Sequence, residues 1–543
     1  MSLPTQVDVT VVGAGPTGLT LACELARRGV RCAVLDARLE PERLSKALGV
    51  HARTLEVFED LDIAEKAVAR GRRLSGATIY SDGEQVAQVT LDTLESRHPY
   101  VLILPQHETE ELLEERLGEL GGSVLRGVRA ARLRPYPDRV ELDVEQNGET
   151  SVLSSTWLVG CDGAHSFVRH ALDVEFEGAG YAEEFALADL KLDWNRDSNS
   201  AHAFLAADGI VAVFPLPEEG RARIVADLEE TDTGELTAEF FEEILARRAV
   251  GEVQLSELGW TTRFRIHRRI AAQYRSGRCF LAGDAAHVHS PIGGQGMNTG
   301  IQDGYNLGWK LASVVLGHVK EDLLESYEVE RRPVAQATLR GTDFATRIGM
   351  MDQPLARAIR GRVATFLTSF APVRDRITRT VAELDVNYRR SPIVAEDVDR
   401  GSFAGTLGDR IVFARGPKPG DRCPDAPTDD DHGHVHRWLR GTHAILFVFA
   451  CDPGEAGDAS LAAHAIRGAT GGNVKPVVVV PDAATQERLR WNGGIIVDTS
   501  GEVARLFGAV IGCLYLIRPD GYVAFRADRL DARAVTHYLS GLR

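Results

Sequence analysis

"VDVTVVGAGPTGLTLACELARRGVRCAVLD", residues 7–36, is the stretch that sets the architecture of the N-terminal half. An apolar run precedes a glycine turn, a helical segment follows, and a second apolar run ends in Asp36. That order is a βαβ unit. Gly13-x-Gly15-x-x-Gly18 occupies its turn. Gly13 permits the tight bend, Gly15 lets a pyrophosphate approach the backbone, and Gly18 lets helix and strand pack closely. The helix N-terminus then attracts negative charge. Asp36, closing the second strand, is placed to bind an adenosine ribose diol, and Asp rather than Arg there disfavours a 2′-phosphate.

Two further apolar runs, at 156–160 and 278–283, also end directly in Gly/Asp motifs. In a parallel α/β sheet, strand ends are where ligands sit. The second run leads into "GDAAHVHSPIGGQGMNTGIQD", residues 283–303. Asp284 there could accept hydrogen bonds from ligand hydroxyls. The glycines that follow open a helix near Met297 whose N-terminus suits an anion.

Between these motifs, about 75–105 and 180–265, apolar and polar residues alternate, as an antiparallel sheet with one exposed face requires. The pattern is helical from about 305 to 385, and the Gly-, Pro- and Asp-rich stretch that follows reads as linker and loops. Strand-like runs alternate with helices to the C-terminus, closing with a hairpin turned at Pro519-Asp520-Gly521. No internal repeat is found.

A chain of 543 residues is expected to hold two or three domains. It has no apolar run long enough to span a bilayer and no signal-peptide pattern at its start, so a cytoplasmic location is expected. Seven scattered cysteines without a C-x-x-C pair suggest neither a disulfide framework nor a cysteine zinc site. A net charge of −16 argues against nucleic acid or an anionic membrane as partner.

Gly13-Ala14-Gly15-Pro16-Thr17-Gly18, "CDGAHSFVR" at 161–169 and "GDAAHVHSPIGGQGMNTGIQDGYNLGWKLA" together resemble the flavoprotein aromatic hydroxylases, single-component FAD monooxygenases. "GDRCPDAP" and "LYLIRPDGYVAFR" resemble the thioredoxin-like domain appended to phenol hydroxylase and the polyketide hydroxylases. The resemblance implies an α/β fold. A Rossmann-type FAD-binding domain (1–75, 106–175, 266–350) would carry an inserted antiparallel substrate-binding sheet domain (76–105, 176–265). A helical linker region (351–394) and a thioredoxin-like α/β domain (395–543) would follow, the last in a packing or homodimer-forming role.

It also implies FAD as cofactor, NADPH or NADH as co-substrate and O2. By the same carry-over Gly13, Gly15, Pro16, Gly18, Asp36, Arg38 and Val128 lie along the adenosine and pyrophosphate. Asp162 belongs to the motif associated with FAD and NAD(P)H, Gln106 to the flavin side, and Asp284 to the ribityl chain. Pro291, Gly294, Gly296, Met297 and Asn298 would run along the isoalloxazine. Lys46 stands where relatives often have Arg, and it loses the planar fork.

The implied chemistry is hydroxylation of a phenolic or polycyclic aromatic, polyketide-like substrate through a flavin C4a-hydroperoxide. Baeyer-Villiger oxygenation of a polycyclic ketone, oxidative inactivation of an aromatic antibiotic, and a non-oxygenating FAD-binding scaffold stay open beside it. No catalytic side chain is assigned. Phe204, Phe214 and Pro215 are candidate substrate-pocket residues, with ordinary core as the equal alternative. His287 with His289, and "DDDHGHVH" at 429–436, have metal-ligand types, but a cofactor loop and a solvated loop are the readings favoured, and no metal is expected.

Overall fold

The computed structural model describes residues 3–44, 47–81, 83–206, 209–229, 232–248, 250–251, 253–290, 293–349, 371–398 and 406–542. Lys46 and Pro291 lie outside the described residues. The chain forms two compact units, one of residues up to Leu94, His98–Tyr305 and Arg332–Leu384, the other of Glu95–Arg97, Asn306–Arg331 and Asp385 onward. The second unit thus takes in a helical segment, Asn306–Arg331, that the sequence reading placed with the first domain.

In the first unit the strand Gln6–Val12 runs parallel to Cys32–Asp36 on one side and to Glu149–Gly160 on the other. Val124–Arg126 and Cys279–Leu281 extend this sheet outward in the same direction. Val9, Val11, Val34, Leu158 and Val159 are buried on it, which is why the runs read as continuously apolar. Because the chain departs from the central strand first to one side and later to the other, its carboxyl end is a topological switch point.

A second sheet contains Thr261–Ala271, Phe176–Asp193, Arg221–Leu228, Gly209–Pro215, Ser200–Ala206, Gly76–Ser81 and Glu84–Thr90 in that order, with His287–Val288 at one edge. It is antiparallel as the alternation predicts, except that Ser200–Ala206 and Gly76–Ser81 pair in parallel. The expectation of one exposed face is corrected. Ala186, Leu190, Val211 and Ile224 pack with Phe241 and Ile244 of the helix Ala238–Arg247, while Phe214 and Leu216 on the opposite face meet Leu48, Leu74 and Ile103. Val101–Ile103 leaves this sheet for a small one of its own, between Gly49–Val50 and Arg72–Leu74.

The second unit holds a sheet in the order Ala395–Asp397, Val523–Ala527, Cys513–Ile517, Ala444–Phe449, Val474–Val480, Gly494–Val497. Separate apolar clusters cover its two faces. Inside the stretch read as linker, Leu407–Arg415 is a helix started by a reciprocal capping box of Thr406 and Asp409. The segment 429–436 is also more than a solvated loop, since His436 is buried and its Nε2 donates to the Cys423 carbonyl at 2.8 Å. Among the described residues no helix is long and apolar enough to cross a membrane.

Candidate functional site

The carboxyl ends of the parallel strands gather the Gly13–Gly18 turn, Asp36, Cys161–Asp162 and Asp284 along one edge of the sheet. Gly13 has φ +105°, and a Cβ on it would lie 2.3 Å from the Cys161 carbonyl oxygen, so the turn needs glycine for both conformation and space. A Cβ on Gly18 would stand 2.0 Å from the Gly13 oxygen. Gly15 is different, because a Cβ there would meet nothing within 4 Å. The turn is therefore tight on the protein side and open on the other, at the start of the helix Pro16–Ala26. That is the cradle a pyrophosphate needs.

Asp36 is fixed beside this cradle. Its Oδ2 accepts from Ala14 N at 3.2 Å and its Oδ1 from Arg38 N at 2.8 Å. The amides of Val128 and Gly127 donate to the carbonyls of Asp36 and Arg38, each at 2.9 Å, which brings Val128 to the same corner. The Arg38 side chain is exposed. Gln106 opens the helix Gln106–Glu119, and its Nε2 donates to Glu110 Oε1 at 2.7 Å. Burial raises the Glu110 carboxyl, with Gln106 opposing. Sequence reading missed Glu110 and also Arg126, whose guanidinium lies 3.7 Å from Asp36 and pairs with Glu114. Both belong to segments with no glycine signature to flag them.

Asp162 is brought to the edge, but its carboxylate works inside the turn. Oδ1 accepts from Ser166 Oγ at 2.5 Å and Oδ2 from Val168 N at 3.0 Å, and burial raises its pKa. What it leaves for a ligand is backbone.

Asp284 is exposed in the single turn Gly283–Ala285. This turn is held from behind by Asp303, whose Oδ2 accepts from Gly283 N at 3.0 Å and from His287 Nε2 at 2.7 Å. Thr17 also binds the region together, since a Cβ on Gly283 or on Gly300 would each come within 2.4 Å of its Oγ1. Gly300 thus serves close helix packing. The helix begins at Gln295, two positions before the expected start, and Gly293 and Gly294 enter it with φ of +86° and +64°.

Asn298, fully buried, accepts from His51 N at 2.9 Å and donates from Nδ2 to the carbonyls of Gly49 and Gly294, both at 2.8 Å. It knits the helix start to the small sheet. Gly294, Gly296 and Met297 are half-buried around it. His51, in "GVHARTLEVF", was missed as a site residue, and its Nε2 reaches the Gly293 carbonyl at 2.9 Å.

The three pocket candidates separate. Phe204 lies in the core with the helix Ala238–Arg247, stacked on Tyr80 at 4.7 Å, which is the core alternative of its reading. Pro215 is buried in the ladder opposite Ala222. Phe214 faces the other way, beside Leu216. On that side a cleft of about 260 Å³ is bounded by Leu216, Pro217, Trp260, Asp189 and Arg223 of the wide sheet, Pro105 and His107, and Arg43 and Leu44. Arg223 makes a two-bond pair with Asp189 at 2.7 and 2.8 Å and lies 5.4 Å from the Trp260 ring. Arg70, Glu108, Glu218 and Arg221 also line it, so the cleft sets a short apolar patch of Leu44, Pro105, Leu216, Pro217 and Trp260 among charged side chains.

Residues 6–342 match the FAD binding domain family. The chain is 35% identical to 6-methylpretetramide 4-monooxygenase of Streptomyces rimosus, over 99% of this chain and 95% of that one. It is 34% identical to pentachlorophenol 4-monooxygenase of Sphingobium chlorophenolicum, over 96% and 94%. Among solved structures, the anhydrotetracycline hydroxylase OxyS from Streptomyces rimosus superposes with a TM-score of 0.74 at 30% identity, covering 96% of each chain.

Proposed function

Because the chain belongs to the flavin-dependent aromatic monooxygenases built on this FAD binding domain, we propose that it oxygenates a phenolic or polycyclic aromatic substrate with electrons from NAD(P)H. The observation that carries the reading is the pairing of two features in one unit. One is a glycine cradle left open at Gly15 beside a fixed Asp36. The other is a cleft that sets Trp260, Leu216 and Pro217 among charged side chains.

The residues present fit FAD. Gly13, Gly15, Pro16 and Gly18 would take the pyrophosphate, Asp36, Arg38 and Val128 the adenosine end, and Asp284 the ribityl hydroxyls. Gly294, Gly296, Met297 and Asn298 would hold the ring at the start of the helix Gln295–Val315, where the peptide dipoles favour negative charge. When bound, FAD supplies the redox chemistry and the reaction with O2.

The chain's own work is to bind, orient and exclude water. Leu216, Pro217 and Trp260 offer an aromatic ring an apolar patch to pack on. The Arg223–Asp189 pair offers a fixed charged edge to a polar substituent, because each partner already holds the other in place.

The test is NADPH oxidation by the purified, FAD-loaded protein, with hydrogen peroxide quantified, across a panel of phenols and polycyclic aromatics. A compound that accelerates oxidation while peroxide stays low is a coupled substrate, and the bond connectivity of its product separates hydroxylation from ring-oxygen insertion. If no aromatic accelerates oxidation, the reading fails.

A further inference from the structure

Four guanidinium groups line the cleft beside Trp260, those of Arg43, Arg70, Arg221 and Arg223. Two of them are committed to carboxylates. Arg223, its side chain 5% exposed, gives two donors to Asp189, and Arg70 donates to Glu108 at 3.1 Å and to Glu115 at 3.0 Å. Arg221 is held differently. Its side chain is only 20% exposed, yet the nearest carboxylate oxygens, of Glu218 and Glu257, stand 3.6 and 3.8 Å away, beyond hydrogen-bond length. Those two side chains are 75% and 61% exposed, so water competes for both. Among the described residues no side-chain hydrogen bond ties the Arg221 guanidinium.

The backbone fixes where this cation stands. Arg221 and Arg223 are two positions apart on the strand Arg221–Leu228, so both project from one face, roughly 7 Å apart along it. Leu216 N donates to the Arg221 carbonyl at 2.9 Å, closing the hairpin that brings Leu216 and Pro217 to the cleft. Gly259 N donates to the Asp189 carbonyl at 2.8 Å and Asp189 N to the Trp260 carbonyl at 2.9 Å, which pins the indole-bearing segment to the neighbouring strand. A Cβ on Gly259 would stand 3.0 Å from Arg221 Nη2, so the guanidinium lies against the residue next to the indole. An apolar patch and a partly desolvated cation therefore share one wall.

A neutral aromatic would use the patch and leave the guanidinium as it is. An anionic oxygen on the ring would give that guanidinium the close acceptor it lacks, at the strength of a charge-assisted hydrogen bond. We infer that Arg221 selects the substrate, taking an aromatic whose ring bears an oxygen that is anionic at neutral pH, a carboxylate or the enolate of a 1,3-diketone. This rests on the reading of the cleft as the substrate's place. Arg221 is a specificity-determining residue in this role. Arg223, already bonded to Asp189, keeps the wall rigid, and no proton or electron passes through either arginine.

The test is calorimetric binding to the FAD-loaded full chain without NADPH, at neutral pH and low salt. Two pairs of probes hold the ring constant and change the charge. They are 2-naphthoate against 2-naphthamide, and 2-hydroxy-1,4-naphthoquinone, an ionised vinylogous acid, against its methyl ether. In at least one pair the anion is expected to bind about tenfold tighter than its neutral partner, the worth of a hydrogen bond to a charged group. The pair that shows the preference separates a carboxylate from an enolate. Arg221→Met, which keeps the apolar stem, should abolish the preference while the neutral probe binds as before. Arg221→Lys should restore part of it, and Arg43→Met should leave it in place. Equal affinities within both pairs overturn the inference, as does the absence of binding by either anion. A preference that survives Arg221→Met, or that is lost through Arg43→Met instead, overturns it too. The wild-type comparison and the lysine variant decide the matter if Arg221→Met does not fold. No turnover is involved, so failure to find an oxygenation substrate would refute the proposed function and leave this preference standing, whereas equal binding would sink the preference and leave oxygenation untouched.

Discussion

Two glycines three positions apart do opposite jobs, and substitution separates them. Gly15 has φ −77°, which any residue adopts, and nothing lies within 4 Å of where its Cβ would stand. Gly15→Ala is therefore expected to leave the melting temperature of the FAD-free protein unchanged and to weaken FAD binding about tenfold or more, roughly 1.4 kcal/mol. Gly18→Ala drives a methyl into the Gly13 carbonyl, a backbone atom that cannot swing away, and should cost about 1–3 kcal/mol of stability in the FAD-free protein. Thermal melts and FAD titrations on both variants check the pair. The spacing of these glycines was legible because only glycine fits. Thr17 was not, since its partners Gly283 and Gly300 lie far along the chain and a threonine in a helix carries no signal of its own. The histidines give a pH effect. His51 and His289 titrate near 4 when folded, against about 6.5 unfolded. Above pH 6.5 both states are neutral and nothing is lost. As pH falls toward 4 the unfolded chain takes up protons that the folded one refuses, so stability drops, by about 2 kcal/mol per ring at pH 5. Melts of the wild type and of His51→Asn between pH 7.5 and 5 should show the shallower slope in the variant.

At the scale of elements, the parallel strands were readable as short continuous apolar runs ending in Gly/Asp motifs, and the long helix by its helical period. The second sheet was readable as strands but not as a register. Alternation says which residues share a face, and it cannot say that Ser200–Ala206 pairs in parallel with a strand more than a hundred residues earlier. The same limit left Phe204 open between pocket and core. Both faces of its sheet are apolar, and only the helix Ala238–Arg247 reveals which one is core. The start of the helix Gln295–Val315 was misjudged because Gly293, Gly294 and Gly296 look like a loop, whereas Asn298 supplies three hydrogen bonds that fasten it. Asn298→Ala would strand the His51 amide and the Gly49 carbonyl in the interior. A loss of about 2–4 kcal/mol in denaturant unfolding is expected. FAD binding should fall with it, whereas Asn298→Asp, which keeps the acceptor for His51 N, should retain part of the stability.

In the whole molecule, the second unit is organised round a buried charge cluster that no motif announced. Glu330 Oε2 accepts from Lys310 Nζ at 2.6 Å, Asn306 Nδ2 at 2.7 Å and Arg518 Nη2 at 2.9 Å. Its Oε1 accepts from Arg518 Nη1 at 2.7 Å and Ser391 Oγ at 2.6 Å. Arg518 turns its remaining donors to Asp520, so the residues that read only as a hairpin turn are the anchor of the cluster. Lys310 lies on the same continuous helix, Gln295–Val315, that begins at the glycine loop. Two cations and two carboxylates cancel, which is what lets them all be buried. Burial alone would raise the Glu330 carboxyl, but Arg518 and Lys310 outweigh it and hold it well below the usual carboxylate range. A carboxyl lowered in this way adds stability above its unfolded value near 4.5, and the gain is lost as pH falls through the folded one. Glu330→Gln removes the charge and leaves Arg518 and Lys310 facing one carboxylate. The expected loss is about 3–5 kcal/mol at pH 7. The gap in stability between the variant and wild type should narrow as the pH is lowered below 4.5, because protonation then takes from the wild type what the substitution has already taken from the variant. A gap that stays constant from pH 7 to pH 3 would mean that the carboxyl's charge contributes nothing and that its shape alone holds the cluster together.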